Sequence, residues 1–109
     1  MSAVPALFET AEAHDALEAA CRRYHVRRLD LFGSAATGKG FDPERSDLDV
    51  LVEFEKLPPV DYANAYFGLR EALERLSGRP IDLMTQPALE NPYLRERIEA
   101  ERRTVFSAS

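Results

Sequence analysis

Apolar residues recur along this chain at two different periods, and the switches between them predict alternating helices and strands. Between Glu9 and Tyr24, the positions Ala13, Leu17, Cys21 and Tyr24 form one apolar stripe at helical spacing, with charges elsewhere. From Val26 to Phe32 the period shortens: Leu29 and Leu31 face one way, Asp30 and Phe32 the other, which suits a strand ending at Gly33. Glycine, lysine, aspartate and proline fill the stretch from Gly38 to Pro43, so a loop precedes the next strand. In that strand Leu48, Val50, Val52 and Phe54 make a buried face, while Asp47, Asp49, Leu51 and Glu53 leave on the opposite one. Pro58 and Pro59 close it. Tyr62, Tyr66, Leu69, Leu73 and Leu76 then mark a helix that stops at Gly78. A third short strand spans Pro80 to Thr85, and Asn91 followed by Pro92 starts another helix running through Leu94 and Ile98 to a last strand at Thr104 to Phe106. The succession predicts an α/β (α+β) fold, a small mixed β-sheet flanked by helices.

The chain has 109 residues, 45% of them hydrophobic, enough to fill one core, so residues 1–109 are read as a single domain with no room for a second, substrate-binding one. A net charge of -5 speaks against a broad basic surface, and direct DNA binding is not expected. If the chemistry involves nucleic-acid components, a nucleotide is a better substrate than a duplex. Cys21 stands alone, so no internal disulfide forms, and without metal-spaced cysteine or histidine partners it reads as core. Glu9 and Glu12 lie where a signal peptide would be basic and apolar, and no apolar run approaches the roughly 18 residues of a membrane span. The expected location is cytoplasmic.

Two carboxylates carry the chemistry. Asp47 and Asp49, in Ser46-Asp47-Leu48-Asp49-Val50-Leu51-Val52, leave the same face of one strand. Such groups about 6 Å apart repel by about 3 kcal/mol at an effective dielectric of 20, and a cation between them relieves the repulsion. Magnesium suits the donors, since it prefers oxygen and is usually held by one or two carboxylates plus substrate phosphates. The small residues of Gly33-Ser34-Ala35-Ala36-Thr37-Gly38-Lys39-Gly40 would let backbone N–H groups approach an anion. This segment is almost a phosphate-binding P-loop, but Gly40 replaces the hydroxyl residue that should follow the lysine, and Pro43 interrupts the helix that should come next.

A strand, Gly-Ser, a short helical turn, a loop and Asp-x-Asp on a second strand resemble the nucleotidyltransferases of the DNA polymerase β superfamily. The phrases Leu31-Phe32-Gly33-Ser34 and Ser46-Asp47-Leu48-Asp49-Val50-Leu51-Val52, with the short chain, are similar to the minimal nucleotidyltransferase family, many of whose members are encoded beside a HEPN-domain protein as its antitoxin. The resemblance implies a third carboxylate on a strand after the intervening helix, and Asp82 in Pro80-Ile81-Asp82-Leu83-Met84 occupies that place. It implies that Asp47, Asp49 and Asp82 hold two Mg2+ ions, that Gly33 and Ser34 bind the phosphate tail through backbone N–H groups and a hydroxyl, and that Asp82 favours deprotonation of the attacking group. The implied reaction is transfer of AMP from ATP to a hydroxyl, a tyrosine of a cognate HEPN toxin being the expected acceptor. Asp30 precedes Gly-Ser, where the family has no catalytic acid, and is assigned a structural or surface role.

One departure stands out. Family members commonly read Gly-Ser-x-Ala-Arg-Gly, and here Thr37 holds the arginine position; Arg45 and Lys39 are the nearby cations available to compensate, or else solvated loop charges. Two alternatives follow: a binding module that neutralises a HEPN partner by docking, and a small-molecule nucleotidyltransferase of the aminoglycoside type, which would need a homo-oligomer to build its pocket. His14 and His25 lack partners at metal-ligand spacing and read as surface residues. Tyr62 and Tyr66 join the core stripe, and Phe67 falls off it, at a partner interface or half-exposed. Glu96, Glu99 and Glu101, interleaved with Arg95, Arg97, Arg102 and Arg103, read as a solvated helix face.

Overall fold

In the computed structural model, residues 10–33, 36 and 47–108 are described. Helix α1 (Ala11–Arg23) starts where the Thr10 side chain accepts from the Ala13 N–H at 3.0 Å, with Glu12 in its first turn and Arg22 and Arg23 in its last, matching the helix dipole. Strands β1 (Val26–Phe32) and β2 (Leu48–Phe54) follow, then helix α2 (Pro59–Ser77), which has proline in its first turn and ends at Gly78 in the left-handed conformation, φ 69°. Strand β3 (Ile81–Met84), a 3-10 turn (Gln86–Glu90), helix α3 (Pro92–Glu101) and strand β4 (Arg103–Ser107) complete the order. The predicted Asn91 cap of α3 is present, its side-chain oxygen accepting from the N–H groups of Tyr93 and Leu94.

The strands form one mixed sheet, as the alternating pattern predicts, and their order is β3-β2-β1-β4. β1 pairs antiparallel with both β2 and β4, and β2 pairs parallel with β3. Its two faces are buried differently. Leu29, Leu31, Leu48, Val50, Val52, Ile81 and Leu83 pack against Leu17 and Cys21 of α1 and Leu69 and Leu73 of α2. Each such side chain contributes about 1.5–3 kcal/mol by leaving water. On the other face Phe32 and Leu51 meet Ile98 of α3, with Met84, Leu89 and Leu94 around them. Tyr62 is displaced from the expected core stripe to its rim, 37% exposed and edge-on to Phe54, and Ala65 and Ala72 take buried positions on α2 instead. Tyr66 keeps its place and donates its hydroxyl to the Leu83 carbonyl at 2.8 Å. Phe67 is exposed.

Among the described residues Asp30 is the one buried charged side chain, 1% exposed in the middle of β1. Arg102, at the end of α3, donates to its Oδ2 from Nε at 3.0 Å and from Nη2 at 2.5 Å, and Arg28 Nε donates to Oδ1 at 3.2 Å. Burial opposes the charge on Arg102, but Asp30 and then Glu99 outweigh it and hold the guanidinium pKa above its ordinary value. Asp30 thus has the structural role and is no surface residue. The solvated-face reading holds for Arg95, Glu96, Arg97, Glu99 and Arg103, which are exposed, but not for Arg102, which is turned inward to satisfy a carboxylate that burial would otherwise destabilise.

Two outcomes follow. Arg102→Ala should lower unfolding free energy by about 3 kcal/mol in urea titrations, since it strips a buried carboxylate oxygen of both its donors, whereas Arg28→Ala, at a more exposed site, should cost much less. Burial pushes the Cys21 thiol up to about 12, Glu18 adding to the rise and Arg22 opposing it. A thiol reagent at pH 8 should therefore label Cys21 only at the rate of unfolding; prompt labelling of the native protein would contradict its place in the core.

Candidate active site

The parallel pairing of β2 with β3 sets Asp82 directly beside Asp49, and the antiparallel pairing of β1 with β2 sets Phe32 on Asp49's other side. Residues paired across strands share a face, so Asp82, Asp49 and Phe32 form one rung on the face that α3 covers. Asp49 is half-buried, its side chain 24% exposed, while Asp82 and Asp47 are exposed, Asp47 lying immediately before β2. Burial first, then the charge of Asp82, raise the Asp49 pKa; Arg97 opposes the rise, and Asp47 and Glu101 add to it.

Gly33 follows Phe32 and turns the chain sharply, with φ 72° and its carbonyl accepting from the Ala36 N–H at 3.1 Å. A side chain here would be disfavoured twice: the backbone conformation strains it, and a methyl group would overlap Asp49 Oδ2 and come within 3.0 Å of Arg97 Nη2, so both side chains would have to shift. Glycine lets the backbone come this close to the carboxylate without that shift. The Gly33 N–H donates to Glu101 Oε2 at 2.8 Å, so in this state it is engaged within the protein. Ser34, Thr37, Lys39, Gly40, Pro43, Arg45 and Ser46 lie outside the described residues.

The structure thus brings Gly33, Asp49 and Asp82 together, with Asp47 acting electrostatically on Asp49, and adds two residues that the solvated-face reading hid. Arg97 and Glu101 both turn toward the sheet. Arg97 Nη2 lies 3.8 Å from Asp49 Oδ2, its Nε donates to Glu101 Oε2 at 3.3 Å, and its guanidinium carbon sits 5.8 Å from the centre of the Phe32 ring. The signal was available: on a helix starting at Pro92, positions 94, 97, 98 and 101 fall on one face, so Arg97 and Glu101 flank Leu94 and Ile98. The histidines need a smaller correction. Among the described residues, ligand atoms of His14, Asp15 and Glu18 lie within 4.8 Å of one another, but these groups sit at the surface of α1, where side chains one turn apart routinely meet. The aspartate rung is more open than that group.

Comparison with known proteins agrees with this geometry. The family model described as a nucleotidyltransferase domain matches residues 14–105. A protein of Methanocaldococcus jannaschii, provisionally named a protein adenylyltransferase, is 37% identical over 79 residues, 72% of this chain and 76% of its own length. A solved structure provisionally named a minimal nucleotidyltransferase superposes with a TM-score of 0.63 at 37% identity, covering 88% of this chain and 93% of that one. A crystal structure of a toxin-antitoxin with AMP-PNP shares the fold with a TM-score of 0.60 at 18% identity, over 88% of this chain and 74% of that one. With a family model spanning most of its length and a relative matched over three-quarters of its own, the chain belongs to the nucleotidyltransferase domain family.

Proposed function

We propose that this protein, acting as a single domain, is an Mg2+-dependent protein adenylyltransferase that moves AMP from ATP to a hydroxyl on a toxin partner, a HEPN-domain protein in the cytoplasm. The observation that carries the reading is the rung itself: two strand-borne carboxylates in register beside a glycine turn whose backbone is in the left-handed conformation against Asp49. The relative named for protein adenylyl transfer supports the reaction class, and the toxin-antitoxin complex with AMP-PNP supports the partner and the nucleotide. Among the described residues no helix is long and apolar enough to cross a membrane.

The donor set fits magnesium. Asp49 is driven toward protonation by its own burial and by Asp82, so the site gains from a divalent cation that offsets both charges, and its donors are hard oxygens. Asp47, Asp49 and Asp82 would hold it. When bound, the ion polarises the phosphates and favours loss of the acceptor's proton. To Asp82, exposed on the edge strand β3, we assign meeting the incoming hydroxyl and favouring its deprotonation. The acceptor oxygen bonds to the α-phosphorus, the bond from that phosphorus to the β-phosphate oxygen breaks, and pyrophosphate leaves with the electron pair. The acceptor proton passes to Asp82 or to solvent.

Asp49 offers a thermodynamic test. Its folded pKa lies above the ordinary value near 3.8, so just above that pH the folded chain holds a proton that the unfolded chain has lost, and stability falls as pH rises through the window. Asp49→Asn should therefore melt higher than the parent at pH 7 without metal, the gain should fade as pH falls toward 4, and Mg2+ with an ATP analogue should stabilise the parent but not the variant. A parent with no ligand-induced shift at saturation would sink the nucleotide site. Transfer is read separately, by incubating the protein with its HEPN partner, labelled ATP and Mg2+. Label should reach the partner and disappear with Asp47→Ala; toxin neutralisation that survives Asp47→Ala without label would favour docking alone.

A further inference from the structure

Arg97 is held beside the aspartate rung by three neighbours. Its guanidinium is fixed on three sides, by Glu101 at 3.3 Å, by the Phe32 ring at 5.8 Å and by Asp49 at 3.8 Å, yet the side chain stays 51% exposed. Only one of its five N–H groups makes a hydrogen bond among the described residues, the one donated to Glu101. The contact with Asp49 is a pairing of charges beyond hydrogen-bond distance, a kind that contributes little to stability. The guanidinium also stands directly over Gly33, within 3.0 Å of where a methyl group would sit. A cation is therefore held at the turn and beside the carboxylate, with most of its donors unused.

A guanidinium and a divalent cation repel one another when both approach one carboxylate, and an anion placed between them removes the repulsion. A triphosphate is such an anion, and its oxygens match the planar fork of arginine. Resting on the nucleotidyl-transfer reading, we infer that Arg97 is a binding residue for the triphosphate: it partly offsets the charge of Asp49 in the nucleotide-free protein and turns its remaining N–H groups to phosphate oxygens when a divalent cation takes Asp49. Glu101 is the positioning residue of this arrangement, since one carboxylate oxygen holds both Arg97 Nε and the Gly33 N–H. Arg97 thereby brings a cation from α3 to Gly33 and Asp49.

The test uses opposite signs. Arg97→Met keeps an apolar stem over Phe32 and removes the charge; Arg97→Lys keeps the charge and loses the fork. Mn2+ alone, followed by electron paramagnetic resonance, should bind Arg97→Met several-fold more tightly than the parent, because a competing cation is gone. AMP-PNP with Mg2+, followed by calorimetry, should bind it about tenfold more weakly, the loss expected for one charge-assisted contact, with Arg97→Lys in between. Equal AMP-PNP affinity in parent and Arg97→Met overturns the inference, and so does a parallel loss of Mn2+ and AMP-PNP, which would mark a merely structural role. A parent that fails to bind AMP-PNP overturns the nucleotide reading itself, and this inference with it. Should Arg97→Met not fold, Arg97→Gln carries the same comparison.

Discussion

The position of α3 on the sheet depends on one buried carboxylate. Asp30 points out of β1 on the face opposite the main core and is 1% exposed, a place where an unpaired charge would be costly. Arg102 answers it from the residue that ends α3, and because β4 begins at the next residue, helix and strand are pinned at their junction. With that end fixed, the helical repeat decides the rest. Ile98 falls on Phe32 and Leu51, and Arg97 and Glu101 fall on Phe32 and Gly33. A structural ion pair on one strand therefore sets the orientation of functional charges at the strand's end.

That end of the sheet is where local stability is given up. Asp49 beside Asp82 is a like-charge pair across strands, an arrangement that weakens a sheet, and the Asp49 pKa is raised as a result. An asparagine would suit the fold better at this position, and so would any arrangement that left the rung less acidic. The conflict makes sense if the rung is complete only with a cation bound, since the repulsion then becomes attraction to a shared ion. Arg97 lessens the cost in the meantime, though at 3.8 Å and half-exposed it does so only in part.

The fold was legible where a single period ran without interruption. Leu48, Val50 and Val52 alternate with Asp49 and Leu51, so the strand, its buried face and its acidic face follow from spacing alone, and the Asn91-Pro92 cap marks the start of α3. Asp82 needed the family resemblance, because one acid between two apolar residues has no distinguishing period. Tyr62 was misplaced because an amphipathic ring satisfies the stripe equally well at its rim. Alternating charges concealed the part played by α3. Read along the chain, Arg95 to Arg103 resembles a solvated surface; read around a helix, Arg97 and Glu101 share the arc of Leu94 and Ile98. Burial of Asp30 was invisible for a different reason, since its partner lies 72 residues away.

Closure across the chain has a consequence for how the site assembles. Gly33 and Glu101 are 68 residues apart, yet one hydrogen bond joins them, and the same carboxylate positions the guanidinium beside Asp49. The site's cation and the acceptor for its glycine turn therefore arrive together, when α3 docks. Docking in turn requires Phe32 and Leu51 to be covered by Ile98, and Asp30 to be paired by Arg102. A chain in which α3 had frayed would keep Asp49 and Asp82 on their strands but would lose the Arg97 charge that partly offsets them. Repulsion within the rung would then oppose the packing of β2 on β3, where those aspartates stand side by side. Assembly of the site and docking of the C-terminal helix are thus coupled, through Asp30, paired by Arg102 at the end of the helix, and through Asp49, met by Arg97 at its middle.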